Sequence, residues 1–304
     1  MEPLRMIAQG PEPTLTVRVR ALRTATPSLE EAPHPEDHRT RVAIVIPAFN
    51  EGIAIERLLR ELPEDSTTVR YRTFVCDDGS RDATAAEAAA AGVTVLQHSR
   101  NLGIGAALTT AFEGALAWRP DIVVQIDADG QHDPALIPNL VEPILRGKAD
   151  YVIGSRFLEG ANGLNPVRRA GVQFYSHFVK LLAGIPITDV TSGFRAFRAD
   201  AYDQISIRSE NNWAVEMTLR AGLAHLRVVE IAAPFRPRVG GNSQFAIRRM
   251  FVVYHFRVVK QMFRAYTDST ALGPGNGSAS AGTLGGLPTG FRTGEAASLP
   301  RLVR

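Results

Sequence analysis

Residues 121–134, "DIVVQIDADGQHDP", pass from an apolar run into a dense group of acids within a few positions. The first part is continuous in Ile and Val, as expected of a strand buried on both faces. Asp127, Asp129, His132 and Asp133 follow, and Pro134 opens the next helix at a position where its missing N–H costs nothing. Carboxylates at the end of a buried strand are costly unless something compensates them. The stretch therefore predicts a strand whose tip carries either a ligand site or the acidic end of a loop.

The same alternation extends on both sides. "RVAIVIP" (41–47), "RTFVCDD" (72–78), "VTVLQH" (93–98) and "DYVIGS" (150–155) read as strands. Between them, "IAIERLLREL" (53–62) places Ile55, Leu58, Leu59 and Leu62 on one stripe. "RDATAAEAAAAG" (81–92) and "IGAALTTAFEGALAW" (104–118) are further helices, the first closed by Gly92. Strands alternating with helices predict a mostly parallel α/β sheet covered on both faces. Ligands bind such sheets beyond the carboxyl ends of the strands. Asn50–Glu51, Asp77–Asp78, Asp127–Asp129 and Ser155–Arg156 all fall at those ends. The second half is less regular: a basic amphipathic helix (167–184), the loop and strand "PITDVTSGFRAFR" (186–198), the helix "WAVEMTLRAGLAH" (213–225) and the strand "RVVEIAAPF" (227–235).

At 304 residues and 45% apolar, the chain can bury a substantial core. Residues 1–40 are rich in Pro, Glu, Arg and Thr, and residues 267–304 in Gly and Ser; both read as flexible tails around one domain at 41–266. Cys76 is the single cysteine, so no intrachain disulfide can form. No run approaches the roughly 20 apolar residues that span a bilayer, and the start lacks the apolar stretch of a signal peptide. A cytoplasmic protein is expected, with no nucleic-acid partner. The net charge is only +3, yet Ile231–Thr267 contains no acid and seven bases, from Arg236 and Arg238 to Arg264. A one-sign patch of this kind attracts phosphates or acidic lipids.

Two carboxylates and an amide oxygen, from Asp127, Asp129 and Gln131, suit a hard cation such as Mg²⁺ or Mn²⁺. One histidine with neither a cysteine nor a second histidine argues against zinc. "NLGIGAAL" has the look of a dinucleotide fingerprint, but Leu108 holds the third glycine position and the turn follows the third strand. A nicotinamide dehydrogenase is set aside.

Taken in order, "VIPAFNE", "DDGSRDAT", "NLGIGAAL", "DADGQHDP", "GSR", "TDVTSGFRAFR" and "RVGGNSQ" resemble the family 2 inverting glycosyltransferases of the GT-A fold. The likeness is greatest to the dolichol- or polyprenyl-phosphate mannosyltransferases and covers about residues 42–245. It implies a nucleotide-diphosphate sugar as donor, GDP-mannose or UDP-glucose, and polyprenyl phosphate as acceptor. By position, Pro47, Phe49 and Glu51 would border the nucleotide, and Asp77 or Asp78 would meet its base or ribose. Asp127, Asp129 and Gln131 would hold the metal, with Ala128 against the donor. Arg156 would meet phosphate near the reacting centre and Arg238 the departing diphosphate, so Asp129, Arg156 and Arg238 are the expected catalytic residues. Arg168, Arg169 and Ser176 would join Arg156 at the acceptor phosphate.

The two basic amphipathic segments are then expected at the inner face of the membrane, Phe174, Tyr175, Phe178 and Leu181 on the first and Met250, Phe251, Phe256 and Phe263 on the second. Some positions depart from the family pattern. Gln244 stands near the donor phosphates where relatives often have lysine, Ile104 stands where lysine is frequent, and Val172 and Gln173 replace a common serine. A hydroxyl acceptor and a non-catalytic nucleotide-sugar-binding protein are the competing readings. Asp189 and Arg195 are read as a structural ion pair or as shapers of the acceptor pocket. Glu216 reads as a possible base or as surface polarity, and His98, His225, His132 and Asp133 as ordinary polar neighbours.

Overall fold

A computed structural model of the chain describes residues 20–22, 37–158, 166–208, 212–237 and 267. Among them eight strands form one sheet: β1 (Arg20–Leu22), β2 (Thr40–Ala48), β3 (Val69–Asp77), β4 (Thr94–Gln97), β5 (Ile122–Gln125), β6 (Tyr151–Ser155), β7 (Arg195–Arg198) and β8 (Val228–Ala232). Their order across the sheet is β1-β4-β3-β2-β5-β7-β6-β8. The pairs β4–β3, β3–β2, β2–β5 and β6–β8 are parallel. Strand β7 runs antiparallel to both β5 and β6, and β1 antiparallel to β4. The short β1 lies within the stretch expected to be a tail; Arg20 pairs with Gln97.

Alternation along each strand fills two cores. Val42, Ile44, Ile46, Val75, Val124 and Val152 pack on one face with α1 (Gly52–Arg60), α2 (Thr84–Ala90) and α4 (Ile137–Leu145). Ala43, Val45, Phe74, Val123, Ile153 and Phe197 pack on the other with α3 (Ile104–Ala117), α5 (Pro166–Ala183) and α7 (Trp213–Leu223). A four-residue helix, α6 (Tyr202–Ile205), follows β7. Helix α2 begins three residues later than its composition suggests. The Asp82 carboxylate accepts the Thr84 N–H at 3.0 Å and so sets the start.

One interruption in the sheet shapes the whole ligand edge. Val45 accepts from Ile126 N–H at 3.1 Å, so the odd positions of β2 turn their backbone groups toward β5. Two residues on, Pro47 has no N–H to give. The β2–β5 register ends at Val45 opposite Gln125, whereas β2–β3 continues to Ala48 opposite Asp77. Strands β2 and β5 therefore part where the strand order reverses, the place where a crevice opens in doubly wound sheets.

Helix α5 buries Val172, Tyr175 and Val179 and leaves Phe174 50% and Leu181 72% exposed. No helix among the described residues is long and apolar enough to cross a membrane. The second amphipathic segment, with Arg238 and Gln244, lies outside the described residues, as does the Arg168 side chain.

At the far edge Asp150 joins β6 to β8. It accepts from Arg227 N–H at 2.9 Å and from its guanidinium at 2.7 Å. The Arg227 guanidinium holds this carboxyl down from its ordinary 3.8 to about 2. A carboxyl depressed in the folded state adds stability above its unfolded pKa and loses it as pH falls through the folded one. The wild type is expected to lose stability between about pH 4 and pH 2 relative to Asp150→Asn, as urea titrations across that range would show.

Candidate active site

Two loops meet at the carboxyl end of β2. Asn50 adopts φ 55, its N–H donates to Ser80 Oγ at 2.8 Å and its side-chain oxygen accepts from Arg81 N–H at 2.9 Å. Glu51 N–H donates to Thr84 Oγ1 at 2.9 Å, and Gly52 N–H to Asp82 at 3.1 Å. "FNEG" is thus clasped to "DGSRDAT" through four hydrogen bonds. Pro47 is buried, and Phe49 and Glu51 are half-buried at this rim.

Asp77 and Asp78, the expected base or ribose contacts, are both buried and engaged within the protein. Asp77 accepts from Ser80 N–H at 3.1 Å and from Gln97 Nε2 at 2.8 Å. Asp78 accepts from Leu102 and Gly103 N–H at 2.9 and 2.8 Å and lies 2.6 Å from His98 Nδ1. Asp78 thereby fixes the "NLGIG" turn in front of α3. His98 also reaches Thr110 Oγ1 at 2.9 Å, which makes it a buried link in this network. Gly79 is required here, because a Cβ would fall 2.4 Å from the Arg100 carbonyl carbon.

Across the crevice stands Asp127. Its side chain is 31% exposed, with Gln125 Nε2 3.4 Å from Oδ1 and His132 Nε2 3.5 Å from Oδ2. Burial pushes its carboxyl up, but His132, Arg195 and Gln125 outweigh that and hold it below the ordinary carboxylate range. Ala128 is buried beneath it. Asp129 Oδ1 accepts from Gln131 N–H at 3.0 Å, which curls the loop around Gly130. His132 stacks on Phe194 with centroids 5.1 Å apart and meets Phe235 edge-on at 4.7 Å. Asp133 caps the turn before α4 through Ala135 N–H at 3.0 Å. Arg236 bridges Asp133 and Glu61, and its N–H donates to Gln131 O at 2.8 Å. The segment after β8 is thus strapped over the acidic loop.

No cluster of three or more His, Cys, Asp or Glu side chains able to hold a metal occurs among the described residues. Two carboxylates and an amide still fit Mg²⁺ or Mn²⁺, which keep several positions for water and substrate phosphate. An Asp127 carboxyl held ionised and partly exposed has the form such a cation needs.

The structure re-pairs the acceptor-side charges. Asp189 joins Arg156, not Arg195 as expected. Arg156 Nε and Nη2 each donate to it at 2.5 Å, its backbone N–H at 3.1 Å, and Nη2 also reaches Thr191 Oγ1 at 2.7 Å. Asp189 is fully buried and Arg156 4% exposed, with its guanidinium 4.6 Å from the Phe235 ring. Arg195, fully buried, donates instead to Tyr151 OH at 2.5 Å and Ala214 O at 3.0 Å, and its guanidinium lies 4.9 Å from the Trp213 ring. The reason lies in strand direction. Antiparallel β7 carries Arg195 into the α-helical layer behind the sheet, while the loop entering it leaves Asp189 beside the end of β6.

Ser176 is buried and stitches α5 to this loop, donating to Thr188 O at 3.0 Å. Arg169 is exposed at the start of α5, its guanidinium 5.9 Å from the Phe157 ring. Glu216 is not a surface group. It is buried, accepting from Arg220 Nε at 3.0 Å. The reading from sequence passed over Gln125, Gly193 and Glu230. Glu230 accepts from Thr188 and Asp189 N–H, both at 2.8 Å, and supports the loop that holds Arg156. A polar residue inside an otherwise aliphatic strand was the available signal for Gln125.

Comparison with known proteins bears on this arrangement. The family model described as Glycosyl transferase family 2 matches residues 43–206. The undecaprenyl-phosphate mannosyltransferase of Micrococcus luteus is 34% identical over 221 residues, 68% of this chain and 88% of that protein. The polyprenol monophosphomannose synthase of Mycolicibacterium smegmatis is 30% identical over 218 residues, covering 68% and 81%. Glucosyl-3-phosphoglycerate synthase from Mycobacterium tuberculosis, solved with Mn²⁺ and UDP-glucose, superposes with a TM-score of 0.56 at 22% identity, covering 79% of this chain and 82% of that one. At that identity the likeness concerns the fold.

Removing one partner of a buried ion pair strands the other, at a cost of about 3–5 kcal/mol. Asp189→Leu is expected to lose stability of that order in urea unfolding. The double variant Arg156→Met/Asp189→Leu should recover much of it, a coupling that a double-mutant cycle measures.

Proposed function

The chain belongs to glycosyl transferase family 2, and from that premise we propose that it transfers a hexose, mannose in the first instance, from a nucleotide-diphosphate sugar to a polyprenyl monophosphate with inversion. The observation that carries this reading is the similarity along 68% of the chain to proteins named for polyprenyl-phosphate mannosyl transfer. The geometry supports it, because the Arg156 guanidinium lies 4.6 Å from the Phe235 ring and His132 of the acidic loop meets the same ring at 4.7 Å.

In this reading Pro47, Phe49 and Glu51 border the nucleotide and Asp77 or Asp78 lies toward its base or ribose. Asp127, Asp129 and Gln131 hold Mg²⁺ or Mn²⁺ against the diphosphate. The cation supplies charge stabilisation to the diphosphate as it departs. An acceptor phosphate, whose second pKa is about 6, is mostly ionised near neutrality and needs placement more than a general base. Its oxygen forms the new bond to the anomeric carbon as the bond from that carbon to the diphosphate oxygen breaks. Arg238 would meet the leaving group, with Gln244 near the donor phosphates, and Arg156, Arg168 and Arg169 would lie toward the acceptor. Ser176 acts through the loop it stitches. Catalysis then rests on proximity and charge.

The lipid acceptor gives the exposed Phe174 and Leu181 of α5 a role at the headgroup layer, with Arg169 and Lys180 on the same helix. Charge reversal at Arg168, Arg169, Arg248 and Arg249 is expected to weaken binding to anionic vesicles in a sedimentation assay, and unchanged binding would count against a membrane surface. The main test is transfer of radiolabelled sugar from GDP-mannose and UDP-glucose to polyprenyl phosphate, with and without Mn²⁺. Asp129→Ala should lose at least about a hundredfold in turnover while remaining folded. Full activity in that variant, or in excess chelator, would sink the metal assignment. Transfer only to a saccharide or a small hydroxyl compound would replace the acceptor.

A further inference from the structure

Strand β5 reads Ile122, Val123, Val124, Gln125, and every one of these side chains is buried. Gln125 sits in the middle of the sheet, in register with Val45 of β2 and Arg195 of β7. Its amide nitrogen has one partner, Asp127 Oδ1 at 3.4 Å, and its amide oxygen has none. His132, 2% exposed, repeats the pattern from the other side. Nε2 lies 3.5 Å from Asp127 Oδ2, and Nδ1 is buried without a partner. A buried polar atom left unpaired costs stability, and an apolar side chain in either place would remove that cost. What the two residues share is the Asp127 carboxylate, one donor for each oxygen. Gly193 forms the third wall, since a Cβ there would fall 2.2 Å from Asp127 Oδ2.

The geometry points to Gln125 and His132 as positioning residues that hold the Asp127 carboxylate between them, at a cost to folding stability, so that its outward lone pairs face a divalent cation. Gln125, the last residue of β5, lies two positions before Asp127, and its burial in the sheet holds the amide where it stands. His132 arrives from beyond the acidic turn and is held in place by Phe194 and Phe235. Neither residue contacts the cation. They act through Asp127, as groups around a metal's direct ligands commonly do. The inference rests on the reading of Asp127 as a ligand of that cation.

The test pairs metal affinity with stability. Gln125→Leu and His132→Phe each remove a polar group while keeping bulk. Mn²⁺ with GDP, and separately with UDP, is titrated into wild type and variants and followed by water-proton relaxation, and urea unfolding is measured on the same samples. Each variant is expected to bind Mn²⁺ about tenfold more weakly. Gln125→Leu should unfold at an equal or higher urea concentration than wild type. Unchanged affinity in both variants, beside binding in the wild type, overturns the positioning role and leaves the metal reading intact. A loss of affinity that only tracks a loss of stability overturns it too. No relaxation effect in the wild type with either nucleotide overturns the metal reading and this inference together.

Discussion

Pro47 cannot donate a hydrogen bond, and the ligand edge follows from that single constraint. Up to Val45 the central pair β2–β5 is an ordinary parallel ladder. Past it the proline has no N–H to give β5, the ladder ends, and "AFNEG" and "DADGQHD" continue as separate loops. On one side the chain is clasped to the loop after β3 by Ser80, Asp82 and Thr84. On the other it turns through Asp129 and Gly130 toward the strap of Arg236. The crevice between them is a property of the backbone before any ligand is considered.

The folded half that alternates regularly was legible in the sequence, because each strand there is buried on both faces and each helix carries a single apolar stripe. Carboxylates at the ends of β3 and β5 were legible for a related reason: a charge next to a run of Val and Ile has few inexpensive explanations. Pairing was not legible. Asp189 lies six residues from Arg195 in sequence, yet joins Arg156, 33 positions away. That choice depends on β7 running against its neighbours, which no local pattern in "SGFRAFR" reveals. Glu216 was misjudged for a similar reason. The helix α7 is buried on nearly every side, so its polar residues face the protein rather than water.

The buried charges fall into two kinds. Arg156 and Asp189 satisfy one another and are further held by Thr191, Glu230 and the Phe235 ring, so removing either alone is expensive while removing both is not. Among the described residues Arg195 has no carboxylate at ion-pair distance, and is instead surrounded by carbonyl oxygens, hydroxyls and ring faces. Its positive charge still reaches Asp127, where it favours the ionised form. A guanidinium, with donors only and a charge spread over its plane, is well suited to such a fixed background field.

Among the described residues strand β6 pairs only with β7 and β8, and both lie later in the chain. When residues 151–155 leave the ribosome they have no edge to join, although β2 through β5 can already be assembled. The strand that carries Ser155 and Arg156 must wait for residue 195 and beyond before it has a neighbour. The half of the sheet built from β2 to β5 is therefore synthesised first, and the half that carries Arg156 is closed last. The sheet of the finished protein thus has its last-made strands, β7 and β8, on either side of β6.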